Sequence, residues 1–326
     1  MTFPTDIQVL AFLGGLLGSA ASLPLWRAGC RRWNLVDDPG HRKIHTTPVP
    51  LAGGFAVFTG IALVLLGAWL SVRFGWLGAE AVDRVAYGLG RRAVPLMALL
   101  TGAVGMLFLG VGDDRFELKP SQKLAGQVLI ALMVALSGVR LTLFVPSYGF
   151  SVVMTVLWIV AITNAFNLSD NMNGLCAGLG WVGAMLFGLV AARHGQYLVA
   201  AFSLLVAGAL TGYLPYNYPR ASVFLGDAGS HLVGYLMAVL AILPHFYSPK
   251  MQEGRPWAVL SPLLILAVPI LDTASVFVGR TLAGKPFWVG DTNHLSHRLV
   301  RAGLGKPAAV AVLWTIAAAL GSLVLL

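Results

Sequence analysis

Two adjacent aspartates, Asp113 and Asp114, stand in GVGDDRFELKPSQK (Gly110–Lys123), directly after the apolar run Ala93–Leu109. A single carboxylate where a helix leaves a membrane reaches water at little cost. Two in a row repel each other and require a partner, most naturally a cation. The pair is suited to organising a divalent ion and handling a phosphate proton; a solvated, turn-capping loop is the plainer alternative. FLGDAGS (Phe224–Ser230) offers a third carboxylate, Asp227, at the start of another apolar run. Glycines such as Gly226 allow close backbone approach, and a helix start favours phosphate. Mg2+ takes one or two carboxylates and completes its octahedron with waters and phosphate oxygens, so Asp227 near Ser230 is sufficient. Simple helix capping by Asp227 and Ser230 is the alternative there.

NAFNLSDNMNGL (Asn164–Leu175) repeats Asn164, Asn167 and Asp170 at i, i+3, i+6, which aligns them on one face of a helix end. Polar groups at such a depth face a cavity or the bundle interior, and amides suit a nucleobase or sugar; a turn at Asn173-Gly174 is the plain reading. Asp272 lies inside the apolar run LLILAVPILDTASVFVGR, a functional position by default in a membrane, with pairing to Arg280 as its structural alternative. Two cationic loops remain. DDPGHRKIHTTPVPLAGG (Asp37–Gly54) carries His41, Arg42, Lys43 and His45, and DTNHLSHRLVRAG (Asp291–Gly303) carries His294, His297, Arg298 and Arg301. Either is also explained as a basic loop flanking a membrane. His-x-x-His without an intervening glutamate is not a zinc-protease motif.

These residues sit between long apolar runs. The chain is 57% hydrophobic and 11% charged, with mean hydropathy +0.79, against about 25% charged in globular domains. That predicts an all-α, polytopic integral membrane bundle of about ten helices, given roughly 20 residues per span. The apolar runs are continuous rather than alternating, which excludes a β-barrel. Spans are expected at Ile7–Trp26, Leu51–Ser71, Ala93–Gly112, Leu124–Val139, Ser151–Leu168, Leu175–Arg193, Tyr197–Leu214, His231–Phe246, Ala258–Gly279 and Pro307–Leu326, forming one domain over residues 1–326. The first run lacks a basic leader and reads as an anchor. Cys30 and Cys176 form neither a disulfide framework nor a metal pair.

The loops after odd-numbered spans hold most of the 22 Lys and Arg, which places them in the cytoplasm and both termini outside. Most of the 13 Asp and Glu crowd the same side, a bias that membrane insertion does not require. With little soluble chain and no basic stripe, the net charge of +9 does not indicate nucleic-acid binding. The site expected is several carboxylates, a phosphate-friendly helix start and two cationic loops on one membrane face. That combination fits a diphosphate bound through Mg2+ near the bilayer surface.

Taken together, DDPGHRKIHTTPVPLAGG, GDDR, NAFNLSDNMNGL, FLGDAGS, PILD and DTNHLSHRLV resemble the polyprenyl-phosphate N-acetylhexosamine-1-phosphate transferase family, in family order from residue 37 to about 303. The resemblance implies a Mg2+-dependent enzyme (Mn2+ as substitute) in the bacterial cytoplasmic membrane. Such an enzyme moves a sugar 1-phosphate from a UDP-sugar to undecaprenyl phosphate and releases UMP. The R-K-x-H segment and H-x-x-H-R-L tail look more like the branch that initiates O-antigen, teichoic-acid or other envelope glycans, with UDP-N-acetylglucosamine or a close relative as donor. The phospho-MurNAc-pentapeptide transferase branch is the alternative, and a homodimer is left open.

The resemblance also implies roles. Asp227, with Asp113 and Asp114, would hold the metal; Asp113 would serve as base, and Asp114 would organise metal or lysine. Asn164, Asn167 and Asp170 would take the nucleoside end. Arg42, Lys43 and His45 with His294, His297 and Arg298 would clamp phosphate or sugar, and Lys123, Gly226, Ser230, Asn173 and Asp272 complete the substrate site. One departure stands out: Asn173 replaces the second family carboxylate, which keeps an inactive scaffold in view. Ser296 also differs from close relatives. A secondary transporter is the remaining alternative, but such folds show internal repeats and broken helices near the midplane.

Overall fold

The computed structural model describes residues 4–38, 47–75, 93–142, 145–244, 256–284 and 293–326. His41, Arg42, Lys43, His45 and Asp291 lie outside the described residues. The chain is built of helices: α1 (Thr5–Arg32), α2 (Gly53–Phe74), α3 (Ala93–Phe116), α4 (Pro120–Leu136), α5 (Tyr148–Ser169), α6 (Leu175–Arg193), α7 (Tyr197–Tyr213), α8 (Gly226–Leu240), α9 (Ser261–Ile265), α10 (Ala267–Leu282), α11 (Leu295–Arg301) and α12 (Lys306–Ser322). A two-residue antiparallel pair, β1 (Val36–Asp37) with β2 (Val49–Pro50), closes the neck between α1 and α2.

Local sequence explains the helix ends. Pro120 occupies the first turn of α4, where a missing N–H costs nothing. Ser147 caps α5 by accepting from Phe150 N–H. Gly75 ends α2 at φ +66°, a left-handed conformation that glycine adopts freely.

Among the described residues seven helices are long and apolar enough to cross a membrane; α9 and α10 make an eighth if that pair, bent by 71°, is one span. The expected span Ala258–Gly279 is therefore broken. Its cause is Pro269: the ring removes the amide that would bond back to Ile265 and clashes with that carbonyl, so the helix restarts at Ala267. The two short spans of the expectation are helices of 17 and 15 residues, α4 and α8. The second begins at Gly226 rather than at His231.

Helix α8 is the centre of the bundle, walled by α3, α5, α2 and α6. Every residue from Ala228 to Leu240 is buried, as a helix that is apolar on all sides must be. Lipid provides no hydrophobic drive between helices, so association there depends on close packing of small residues. Gly110 on α3 meets the Ala228 backbone, Gly54 on α2 meets Gly229, and Gly234 meets Thr163 on α5; a Cβ at any of these would lie 2.4–2.7 Å from backbone atoms. Two hydrogen bonds fix the same helix further down, from Tyr235 Oη to Leu99 O at 2.9 Å and from Trp158 Nε1 to Ala238 O at 3.1 Å.

Candidate active site

The ends of α3 and α5 and the starts of α2, α4, α6 and α8 meet at one end of the bundle. Carbonyls just before α8 cap α2: Gly53 N–H donates to Phe224 O at 3.0 Å and Gly54 N–H to Leu225 O at 3.2 Å. The two adjacent aspartates part company here, because neighbours on a helix point in different directions.

Asp114 turns to α8. Its Oδ1 accepts the N–H of Asp227 at 2.7 Å and its Oδ2 the N–H of Ala228 at 3.0 Å. A helix start leaves such donors unsatisfied, so Asp114 is a cap supplied by another helix. Gly110, one turn earlier on α3, permits the approach, and Gly226 at φ +73° leaves room where a Cβ would stand 2.9 Å from Asp114 Oδ2. Asp227 is consequently not the cap of its own helix.

Asp113 turns to α4. Its Oδ1 accepts Leu118 N–H at 3.0 Å, which shapes the α3–α4 turn, and its Oδ2 forms an ion pair with Lys123. The Lys123 ammonium also lies 4.0 Å from Asp227 Oδ2. Asp227 Oδ1 accepts from Asn167 Nδ2, which reaches Ser230 Oγ at 2.9 Å as well. Asp113 is buried, whereas Asp227 keeps 35% of its side chain exposed, so the open side of the cluster is at Asp227.

Mg2+ chemistry can be tested against this donor set. Among the described residues no three His, Cys, Asp or Glu side chains converge to chelate an ion alone. Asp113 and Asp227, however, already cradle one cation, the Lys123 ammonium. Two hard carboxylates, with waters and phosphate oxygens for the other positions, are what Mg2+ requires. The residues fit the ion, with Asp114 occupied by its capping bonds.

Asn164 is engaged with Gln127 on α4: its Nδ2 donates to Gln127 Oε1 at 2.6 Å, and Gln127 is fully buried. Asp170 follows α5 in the tight turn to α6. Burial, then the charges of Asp227 and Asp114, push its carboxyl up to about 8. Asn173 donates to Pro219 O at 3.4 Å, and Gly174, at φ +80°, donates its N–H to Asn217. Asn171 accepts from Ser296 Oγ at 2.7 Å, which ties α11 to this turn.

The second cluster surrounds Asp272 on α10, buried to 4%. His294 Nδ1 lies 2.7 Å from its Oδ2, and Leu295 N–H donates to its Oδ1 at 2.6 Å. Burial, then the charges of His294, Arg301 and Lys306, lower the pKa of His297 below the usual imidazole value. Arg298 Nε donates to Asn293 O at 2.8 Å.

Sequence reasoning missed Gln127, Asn171, Ser296 and His231. Gln127 follows Lys123 by one helical turn in an apolar stretch, a readable signal. His231, fully buried, holds the Asp227 carbonyl through Nδ1 at 2.6 Å.

A profile described as "Glycosyl transferase family 4" matches residues 96–245. The chain is 30% identical over 316 residues to a Bacillus subtilis (strain 168) protein named "Probable undecaprenyl-phosphate N-acetylglucosaminyl 1-phosphate transferase", covering 94% of this chain and 81% of that one. It is 33% identical over 309 residues to a "Decaprenyl-phosphate N-acetylglucosaminephosphotransferase" of Mycobacterium tuberculosis (strain ATCC 25618 / H37Rv), covering 87% and 73%. It is 28% identical over 311 residues to an "Undecaprenyl-phosphate alpha-N-acetylglucosaminyl 1-phosphate transferase" of Escherichia coli (strain K12), covering 90% and 76%. These alignments reach well beyond the profile on both sides and span the capping aspartate, the lysine-bridged acids and the amide turn; the chain belongs to glycosyl transferase family 4, the polyprenyl-phosphate N-acetylhexosamine-1-phosphate transferases.

Proposed function

We propose that this membrane enzyme transfers N-acetylglucosamine 1-phosphate from UDP-N-acetylglucosamine to undecaprenyl phosphate at the cytoplasmic face, releasing UMP and starting an envelope glycan. One observation supports the reading above others: Asp113 and Asp227 share one cationic position at the bundle end, beside the amide of Asn167. A lipid-borne acceptor and a soluble donor can meet only at such a surface.

Asp113 and Asp227 would hold Mg2+, whose charge would supply the neutralisation that the donor diphosphate needs as UMP departs. The acceptor phosphate has a second pKa of about 6, so at neutral pH it is mostly dianionic. Its oxygen attacks the sugar-linked phosphorus, and the bond from that phosphorus to the bridging oxygen breaks, with the electron pair leaving on UMP. A base is then a modest aid, and Asp113, buried beside Lys123, is placed to take a residual proton. An aspartyl-phosphate route is the rival. Lys123 adds positive charge between the carboxylates and the donor. Asn167 and Ser230 set the Asp227 rotamer, and Asp170 and Asn173 flank the turn for the nucleoside end. His294, His297 and Arg298, with Arg42, Lys43 and His45 from the other basic loop, would contact phosphate or sugar.

The test is a panel of UDP-sugars with undecaprenyl phosphate and Mg2+ in detergent. UMP release with UDP-N-acetylglucosamine is expected; release with no donor would overturn the reading.

A further inference from the structure

We infer that Asp272 is a positioning residue that acts through His294, fixing both the orientation of that imidazole and the helix that follows it. For its kinetic readout the inference rests on the transferase reading above.

Asp272 sits on α10 less than one turn beyond Pro269, where the break in the span bends the chain. Its carboxyl group is buried and both oxygens are used. One faces His294 Nδ1 at 2.7 Å and the other accepts Leu295 N–H at 2.6 Å. A carboxylate only accepts, so the proton on that side of the ring belongs to Nδ1. Nε2 is then the nitrogen left to meet a ligand, as when a carboxylate behind a metal-bound histidine sets its tautomer. The second bond satisfies a first-turn donor of α11, which starts that helix and sets where His297 and Arg298 emerge.

A further tie holds the same segment. Ser296, fully buried, donates to Asn171 Oδ1 at 2.7 Å. Asn171 belongs to the turn that carries Asp170 and Asn173. Asn293 binds the next two arginines, accepting Arg298 Nε on its carbonyl at 2.8 Å and Arg301 on its side chain at 3.2 Å. The basic segment is thus anchored from beneath by α10 and from the side by the amide turn. With both its oxygens occupied by protein donors, Asp272 serves the site at one remove, and His294 makes the contact.

The experiment uses the full chain in detergent and compares Asp272→Asn, His294→Ala, the double variant and His294→Asn. Asparagine at 272 keeps an acceptor for Leu295 but offers its NH2 to Nδ1, which moves the ring proton to Nε2. Donor KM is expected to rise about 10–100-fold in Asp272→Asn, the usual span for loss of an orienting partner. In the His294→Ala background the same change should add less than about twofold. His294→Asn leaves Asp272 a hydrogen-bond donor yet should lose donor affinity as His294→Ala does. Multiplying effects in the double variant, an unchanged KM in Asp272→Asn, or wild-type KM in His294→Asn would each overturn the assignment.

Should the wild-type chain release UMP from no UDP-sugar, the transferase reading fails, and the positioning claim is read from amide exchange instead. Asp272→Ala should then speed exchange across 293–301 more than elsewhere in the chain; unchanged exchange there would overturn it.

Discussion

Asp114 accepts the backbone N–H of Asp227 at 2.7 Å, while its sequence neighbour Asp113 pairs with Lys123. One residue of the doublet builds the site and the other equips it. Their substitutions should therefore separate. Asp114→Ala strips acceptors from two first-turn donors of a buried helix, at about 1–3 kcal/mol for each donor left unsatisfied. A clear fall in melting temperature is expected, with lost turnover following from it. Asp113→Asn keeps an acceptor for Leu118 N–H but breaks a buried pair with Lys123, so it should lower melting less than Asp114→Ala does. Its UMP release should fall by about 100-fold or more, as when a group facing developing charge is removed. Near-normal turnover would take Asp113 out of the chemistry.

Gly110 makes the Asp114 cap possible. A Cβ there would lie 2.4 Å from the Ala228 backbone, whereas one at Gly112 meets only Leu118 Cδ1 at 3.7 Å. Gly110→Ala should cost about 1–3 kcal/mol through forced separation of α3 and α8. Gly112→Ala should be tolerated. Thermal unfolding of the pair checks the difference, and equal melting would deny the close approach.

On the proposed reading, Lys123 and a bound divalent ion would compete for the same two carboxylates. Lys123→Met should lower the Mg2+ concentration giving half-maximal activity, because an opposing charge has gone, while turnover falls by about 10-fold or more. A metal titration of UMP release measures both. A raised metal requirement would mean that the lysine helps to hold phosphate instead.

Asp170 gives a pH signature. Its carboxyl, pushed up to about 8 against 3.8 for the ordinary group, binds a proton in the folded chain that the unfolded chain has released. Stability from this group is therefore fullest below about 4 and declines as pH rises towards about 8. Asp170→Asn should flatten that decline, melting higher than wild type at pH 9 in EDTA and alike at pH 4. Parallel pH curves for the two proteins would show that the shift is absent.

Much of this was readable before any coordinates. The apolar runs locate the helices, and GDDR, NAFNLSD and FLGDAGS do come to one bundle end. What escaped depends on contacts between remote positions. Nothing near Asp227 announces that Asp114 caps it: FLGDAGS reads as capping itself, and the GDDR pair asks for a cation rather than for a helix start. Asn164 reads as a ligand until Gln127 is seen to hold it, and Asp272 reads as a substrate contact, with Arg280 as its structural alternative, until His294 and Leu295 are seen to occupy it. The break before Pro269 rests on one proline in a run that is otherwise apolar throughout, so hydropathy alone does not show it. Asp114, Asn164 and Asp272 share one cause: each is a polar side chain whose partner lies on another helix, which local periodicity does not encode.

From Ala228 to Leu240, helix α8 has protein on every side, which keeps that stretch from lipid. At 15 residues it rises about 22 Å, less than the hydrocarbon thickness. The height of Asp227 is thereby decided by α2, α3 and α5 and not by the bilayer. A change in membrane thickness therefore reaches Asp227 only through the helices packed around it.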